Sequence, residues 1–167
     1  MRTKAQQKAA EKGRSVIRDN RNKRKVAIYK SYKPPTHDPL FMLGLGLYCG
    51  EGSKTQCVQF SSASPSLIRF MLYWFTTYFV VEDYYLWVQH YGQKTPAVMK
   101  RHWSQLSNVP SHRIRLYLTP PSKQSQKKRG HTLLYGTAHL RILKSYTVLR
   151  LQIRKAQETA KLNPADR

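Results

Sequence analysis

The chain has 167 residues, and 30 Lys or Arg against 8 Asp or Glu leave it a formal charge of +22. A compact particle so charged repels itself, which points to a polyanionic partner, nucleic acid before anionic membrane. With 40% apolar residues the chain has material for a core, so disorder throughout is excluded, and its length suits one domain with an appended arm.

Residues 1–37 read as a basic, partly helical arm, broken near Gly13 and closed by Pro34-Pro35, with Arg21, Lys23, Arg24 and Lys25 as nucleic-acid contacts. Residues 38–160 read as the folded domain and 161–167 as a tail. The basic character flanks a nearly neutral core segment, since residues 39–93 hold two Lys or Arg against three acids.

Three helix starts are written alike, a capping side chain followed by Pro: Asp38-Pro39, Ser64-Pro65 and Thr95-Pro96. The first opens an apolar helix ending near Glu51-Gly52. The second carries Leu67, Ile68, Met71, Leu72, Phe75 and Phe79 as a core stripe, and the third faces Val98, Met99, Trp103 and Leu106 inward. A last helix spans about Tyr146 to Lys161.

Strands are predicted between them at Gln56 to Ser61 and Tyr84 to Tyr91. The segment His112 to Leu118 alternates Ile114, Leu116 and Leu118 with Arg113, Arg115 and Tyr117. Leu133 to Leu143 opposes Leu134, Ala138, Leu140 and Ile142 to Tyr135, Thr137, His139 and Arg141. Half of each strand faces a core and half offers arginine. Thr119 to His131 reads as a long basic hairpin loop bearing Lys123, Lys127, Lys128 and Arg129. Trp87 and Tyr117 are able to stack on bases if the target is single-stranded, although tryptophan is core by default.

No transmembrane helix is expected, because the longest apolar run, Leu67 to Val81, is broken by Arg69, Thr76 and Thr77. Met1 is followed by basic and polar residues, so no secretory signal is expected either. Cys49 and Cys57 form no C-x-x-C pair, which suits a reducing, cytoplasmic setting without a cysteine zinc site.

The first apolar helix is odd in holding Gly44, Gly46 and Gly50, since each interior glycine costs about 1 kcal/mol relative to Ala. Tight packing inside one subunit explains the glycines, but it leaves Glu51, a rare carboxylate at the end of the helix, unexplained. The stretch Leu43-Gly44-Leu45-Gly46-Leu47-Tyr48-Cys49-Gly50-Glu51-Gly52-Ser53 resembles the LAGLIDADG motif of homing endonucleases, in the variant ending Glu-Gly-Ser. Cys49 stands where many members have another Asp.

That resemblance implies an α+β fold, a curved antiparallel sheet backed by helices, whose concave face lies in the major groove of double-stranded DNA. It implies a homodimer packed through Leu43, Gly46, Leu47 and Gly50, and Glu51 as the residue that binds Mg²⁺ beside the scissile phosphate. Lys54 and Gln59 are the nearest candidates to stabilise charge and position water. On the sheet, Arg113, Arg115, Tyr117, His139 and Arg141 would meet the nucleic acid, arginine forks suiting guanine edges and phosphates. Two departures are visible: too few residues follow Glu51 for the usual pair of strands, and helix 96–107 is an insertion. The alternative is a non-cleaving DNA- or RNA-binding protein, maturase-like or ribosome-associated, on the same scaffold.

Overall fold

The computed structural model describes residues 3–53, 57–119, 133–143 and 146–161. Lys54 and the loop cations Lys123, Lys127, Lys128 and Arg129 lie outside them. The fold is α+β.

Helix α1 (Lys4–Ser31) starts at Thr3, whose side chain and backbone exchange hydrogen bonds with Gln6. It runs through Gly13 without the expected break, because one glycine costs a helix only about 1 kcal/mol and no stronger breaker precedes Pro34. Its last turns pack on α5 (Tyr146–Thr159), where the Tyr29 hydroxyl donates to the Glu158 carboxylate and Lys155 Nζ donates to the Lys30 carbonyl at 3.0 Å.

The three proline starts each open a helix: α2 (Pro39–Glu51), α3 (Pro65–Tyr78) and α4 (Pro96–Ser107). Asp38 caps α2, one oxygen accepting from Leu40 N at 2.8 Å and the other from the Tyr78 hydroxyl at 2.5 Å. That Tyr78 bond, with the backbone ones, holds the Asp38 carboxyl below its usual range, and the same bond pushes Tyr78 up to about 12. Ser64 makes no capping bond.

Strands β1 (Val58–Ser62), β2 (Tyr84–His90), β3 (Ile114–Leu118) and β4 (Thr137–Ile142) form one sheet in the order β1-β4-β2-β3. β4 is antiparallel to both β1 and β2, whereas β3 is parallel to β2, so the sheet is mixed rather than the antiparallel one expected. The cause is α4: a helix between β2 and β3 returns the chain to its starting end, and β3 then enters in the direction of β2. For the same reason β3 and β4 lie on opposite sides of β2 and do not pair as the arms of the expected hairpin, whose loop residues 120–131 lie outside the described ones.

Beyond the β1 edge, Gly52 bridges to Phe60, and Ser53 N donates to the Gln59 carbonyl at 2.8 Å. This is an isolated antiparallel bridge to β1. Apart from the β2–β3 pair, every pairing in the sheet is antiparallel.

One face of the sheet buries Val58, Phe60, Leu86, Val88, Ala138, Leu140 and Ile142 beneath the helices. Trp74 of α3 lies at the centre of that core, its Nε1–H donating to the Phe41 carbonyl at 3.0 Å. Its indole occupies the place where a side chain at Gly44 would go, so Gly44 is a packing glycine within the subunit. Helix α4 buries only the row Met99, Trp103 and Ser107. Val98 and Leu106, expected to face inward, are 40% and 50% exposed, because α4 lies against α3 and β3 at the margin and covers the core with one strip. Leu134 belongs to the turn before β4 and is also exposed.

Gly136 ends that turn with φ +72°, and a β-carbon on it would run into the Gln89 carbonyl oxygen of β2. Gly136→Ala is therefore expected to cost about 2–3 kcal/mol in a urea melt; an unchanged midpoint would show that this edge yields freely.

Candidate nucleic-acid interface

Among the described residues no helix covers the opposite face of the sheet, and the register fixes which side chains share it. Three cross-strand rows result: Gln59, Arg141 and Tyr85; then Ser61, His139, Trp87 and Arg115; then Thr137, Gln89 and Tyr117. Arg115, Tyr117, His139, Arg141 and Gln59, drawn from three distant stretches of sequence, are thus brought onto one surface.

This surface is ordered by its own contacts. Gln59 Oε1 accepts from Arg141 Nε at 3.1 Å and from Nη2 at 2.8 Å, while Ser61 Oγ lies 2.7 Å from His139 Nδ1. The Arg115 guanidinium lies 4.1 Å from the Tyr85 ring centroid and that of Arg141 5.2 Å from Trp87. The Trp87 and Tyr117 rings are parallel to within 3°, their centroids 6.3 Å apart. Together Gln59, Trp87, Gln89, Tyr117, His139 and Arg141 line a shallow concavity of about 220 Å³. Flat rings, fixed guanidinium planes and amide groups are the chemistry that stacks on bases and meets their edges.

Arg113 does not join this surface. It sits in the short helical turn Ser111–Arg113 and bonds Asp83 at 2.9 Å and the Tyr84 carbonyl at 3.1 Å. Tyr85, Gln89 and Ser61 join it beyond the residues expected there, and Trp87, core by default in the sequence, is 37% exposed. Their signal is present in the chain, since Tyr85, Trp87 and Gln89 alternate with the buried Leu86, Val88 and His90.

Burial, with the Arg141 charge beside it, holds the His139 pKa below its ordinary value of 6.5. The folded state therefore binds fewer protons here than the unfolded chain, so the stability is present above pH 6.5 and is lost as pH falls below it toward the folded pKa. His102 of α4, partly desolvated with its ring stacked on Tyr135, acts in the same direction. An NMR titration should find the His139 imidazole below 6.5, with melting temperature falling through the same window; titration at or above that value would refute the assignment.

The α2 residues form a second surface. A β-carbon added at Gly46 or Gly50 would meet nothing within 4 Å, and Leu43 is 55% exposed. Leu43, Gly46, Leu47 and Gly50 lie at intervals of three, one and three, one face of a helix. Close packing inside the subunit thus accounts for Gly44 but not for Gly46 or Gly50. The open face ends at Glu51, which is exposed and makes no hydrogen bond or ion pair among the described residues.

Nothing among protein-family models, curated proteins or solved structures matches the chain. Function is therefore read from these two surfaces. Among the described residues only two ion pairs form, Arg113–Asp83 and Arg154–Glu158, so most of the cations are not neutralised within the chain. No helix among them is long and apolar enough to cross a membrane.

Proposed function

We propose that the chain is a LAGLIDADG-type protein that binds double-stranded DNA through its open sheet face as a homodimer and hydrolyses it with Mg²⁺ at Glu51. The observation that carries this reading is the α2 face of Leu43, Gly46, Leu47 and Gly50, open at both glycines and leading to the exposed Glu51. Glycines one turn apart with nothing near them suit a second helix backbone, and a twofold axis there would bring two Glu51 side chains together. The antiparallel pairing of the sheet apart from the β2–β3 pair also supports it.

Glu51 is the one oxygen ligand this reading asks of each subunit. Among the described residues no three His, Cys, Asp or Glu gather, whereas Mg²⁺ keeps several waters and takes one or two carboxylates together with phosphate oxygens. Bound there, it would polarise the scissile phosphate and activate a water. Glu51 supplies the oxygen ligand. Gln59 fixes Arg141 on the sheet face through its side chain, and through its backbone it holds the segment that follows Glu51.

One observation favours a second reading, an RNA-binding protein on the same scaffold: the parallel, exposed rings of Trp87 and Tyr117 suit unpaired bases. Binding selection from random duplex and random RNA libraries separates the two. Enrichment of palindromic duplexes is expected, and enrichment of structured RNA alone would overturn the DNA reading.

The dimer has its own test. Gly46→Lys is expected to leave the monomer folded, there being open space around the site, and to shift sedimentation from dimer to monomer. If wild type is itself a monomer, and Gly46→Ala simply adds the roughly 1 kcal/mol of its helix propensity, the face is solvent-exposed and the dimer is wrong.

A further inference from the structure

The cations of α1 are not spread evenly. Arg14, Arg18, Arg21 and Lys25 recur at intervals of four, three and four, and so share one face of the helix. The C-terminal end of that face meets α5. Between the two helices runs an open groove in two connected lobes of about 500 and 300 Å³, which share Lys25, Tyr146, Thr147 and Leu151. Arg21, Arg24 and Lys25 line it from α1, and Arg150 and Arg154 from α5.

Of these five, only Arg154 has an ion-pair partner among the described residues, Glu158 at 2.9 Å. The one carboxylate in the lining, Glu82, pairs with none of them. Like charges held together in a concavity repel one another until an anion enters. Guanidinium forks match phosphate oxygens in particular, and Ile28, Val148 and Leu151 give the groove an apolar floor against which a sugar edge can rest. The first turn of α5 forms one wall, and its aligned dipoles add positive potential.

The groove lies apart from the open sheet face. Helix α5 packs through Leu149, Ile153 and Ala156 on the covered side, and α1 lies against α5. We infer that the α1–α5 groove is a second nucleic-acid site, one that takes a sugar–phosphate backbone without reading its bases. It holds whether the sheet face binds DNA or RNA and whether or not Glu51 cleaves.

Fluorescence polarisation of the full chain with a short random-sequence duplex, between about 50 and 200 mM salt, tests this. The combined variant Arg21→Gln, Arg24→Gln, Lys25→Gln and Arg150→Gln is expected to bind at least about tenfold more weakly at low salt. Its log–log salt slope should fall by about 0.9 for each phosphate that the variant no longer neutralises, up to about 3.6 for the four cations removed. Lys100→Gln with Arg101→Gln, removing exposed charge on α4, should change the slope by less than one unit. Equal slopes for the groove and α4 variants would overturn the site. So would loss of binding to phosphatidylserine vesicles with the duplex slope unchanged.

Trp87→Ala and Gln89→Ala keep this test separate from the sheet reading. They should alter sequence preference while leaving the groove's share of the salt slope in place, and if they do nothing the groove variant still must. Should the combined variant fail to fold, backbone NMR shifts of the wild-type chain decide the matter: added duplex must perturb Arg21 to Lys25 together with Thr147 to Arg154, and silence there refutes the inference.

Discussion

Trp74→Ala is expected to remove about 3–5 kcal/mol, a large part of the 5–15 kcal/mol that holds a domain of this size together. The indole is fully buried and packs α3 onto α2 through Phe41 and Tyr48. It stacks near Tyr48, meets Phe75 and Phe79 edge-on with centroids 5.2 and 5.0 Å away, and fills the notch left by Gly44. Ala would leave a cavity walled by aromatic rings, which rotate poorly into a void, and would remove the indole hydrogen bond that the Phe41 carbonyl accepts beside its helical one. Urea denaturation followed by circular dichroism measures the loss. Trp74→Phe separates the two effects, since it keeps most of the volume and loses the Nε1–H bond, and it should fall between wild type and Ala. A Trp74→Ala loss below about 1 kcal/mol would mean that α2 and α3 are held together by other contacts.

The same packing explains why the helices are legible in the sequence and part of the sheet is not. Asp38-Pro39, Ser64-Pro65 and Thr95-Pro96 are local signals, a cap and a residue with fixed φ, and they open helices at Pro39, Pro65 and Pro96. The alternation of residues 112–118 and 133–143 is local too, and it divides Arg115 from Ile114 and His139 from Leu140 correctly. Strand order is not local. Whether β3 pairs with β2 or β4 depends on where α4 sits, and nothing within 119–131 records that. Arg113 shows the same limit at one residue: its place in the alternation suggests the open face, but Asp83, thirty positions earlier, draws it away. Arg150 and Arg154 carry no signal of their own, because a basic face on a C-terminal helix resembles any solvated one until α1 is laid beside it. The motif glycines divide in the same way, since only the fold shows that Gly44 is filled by Trp74 while Gly46 and Gly50 are left open.

Glu51→Gln is expected to abolish cleavage while leaving binding intact. The substitution keeps the side chain's shape and removes its charge, and because Glu51 is exposed with no partner among the described residues, the fold is not weakened by it. A ligand that positions a catalytic metal is worth several kcal/mol in the transition state. At about 1.4 kcal/mol per decade, its loss should slow cleavage of a selected palindromic site by roughly 10²–10³-fold or more. Affinity without Mg²⁺ should hold or rise slightly, because a carboxylate beside phosphates repels them. Arg141→Gln should do the reverse, weakening binding and altering base preference, since Arg141 is held on the sheet face by Gln59 and lies over Trp87. A Glu51→Gln protein that cuts as fast as wild type would remove the carboxylate from the chemistry. A wild type that binds its selected duplex tightly and never cuts it with Mg²⁺ would leave Glu51 as a helix end and the chain as a binding protein, because the charge of +22 accounts for binding alone.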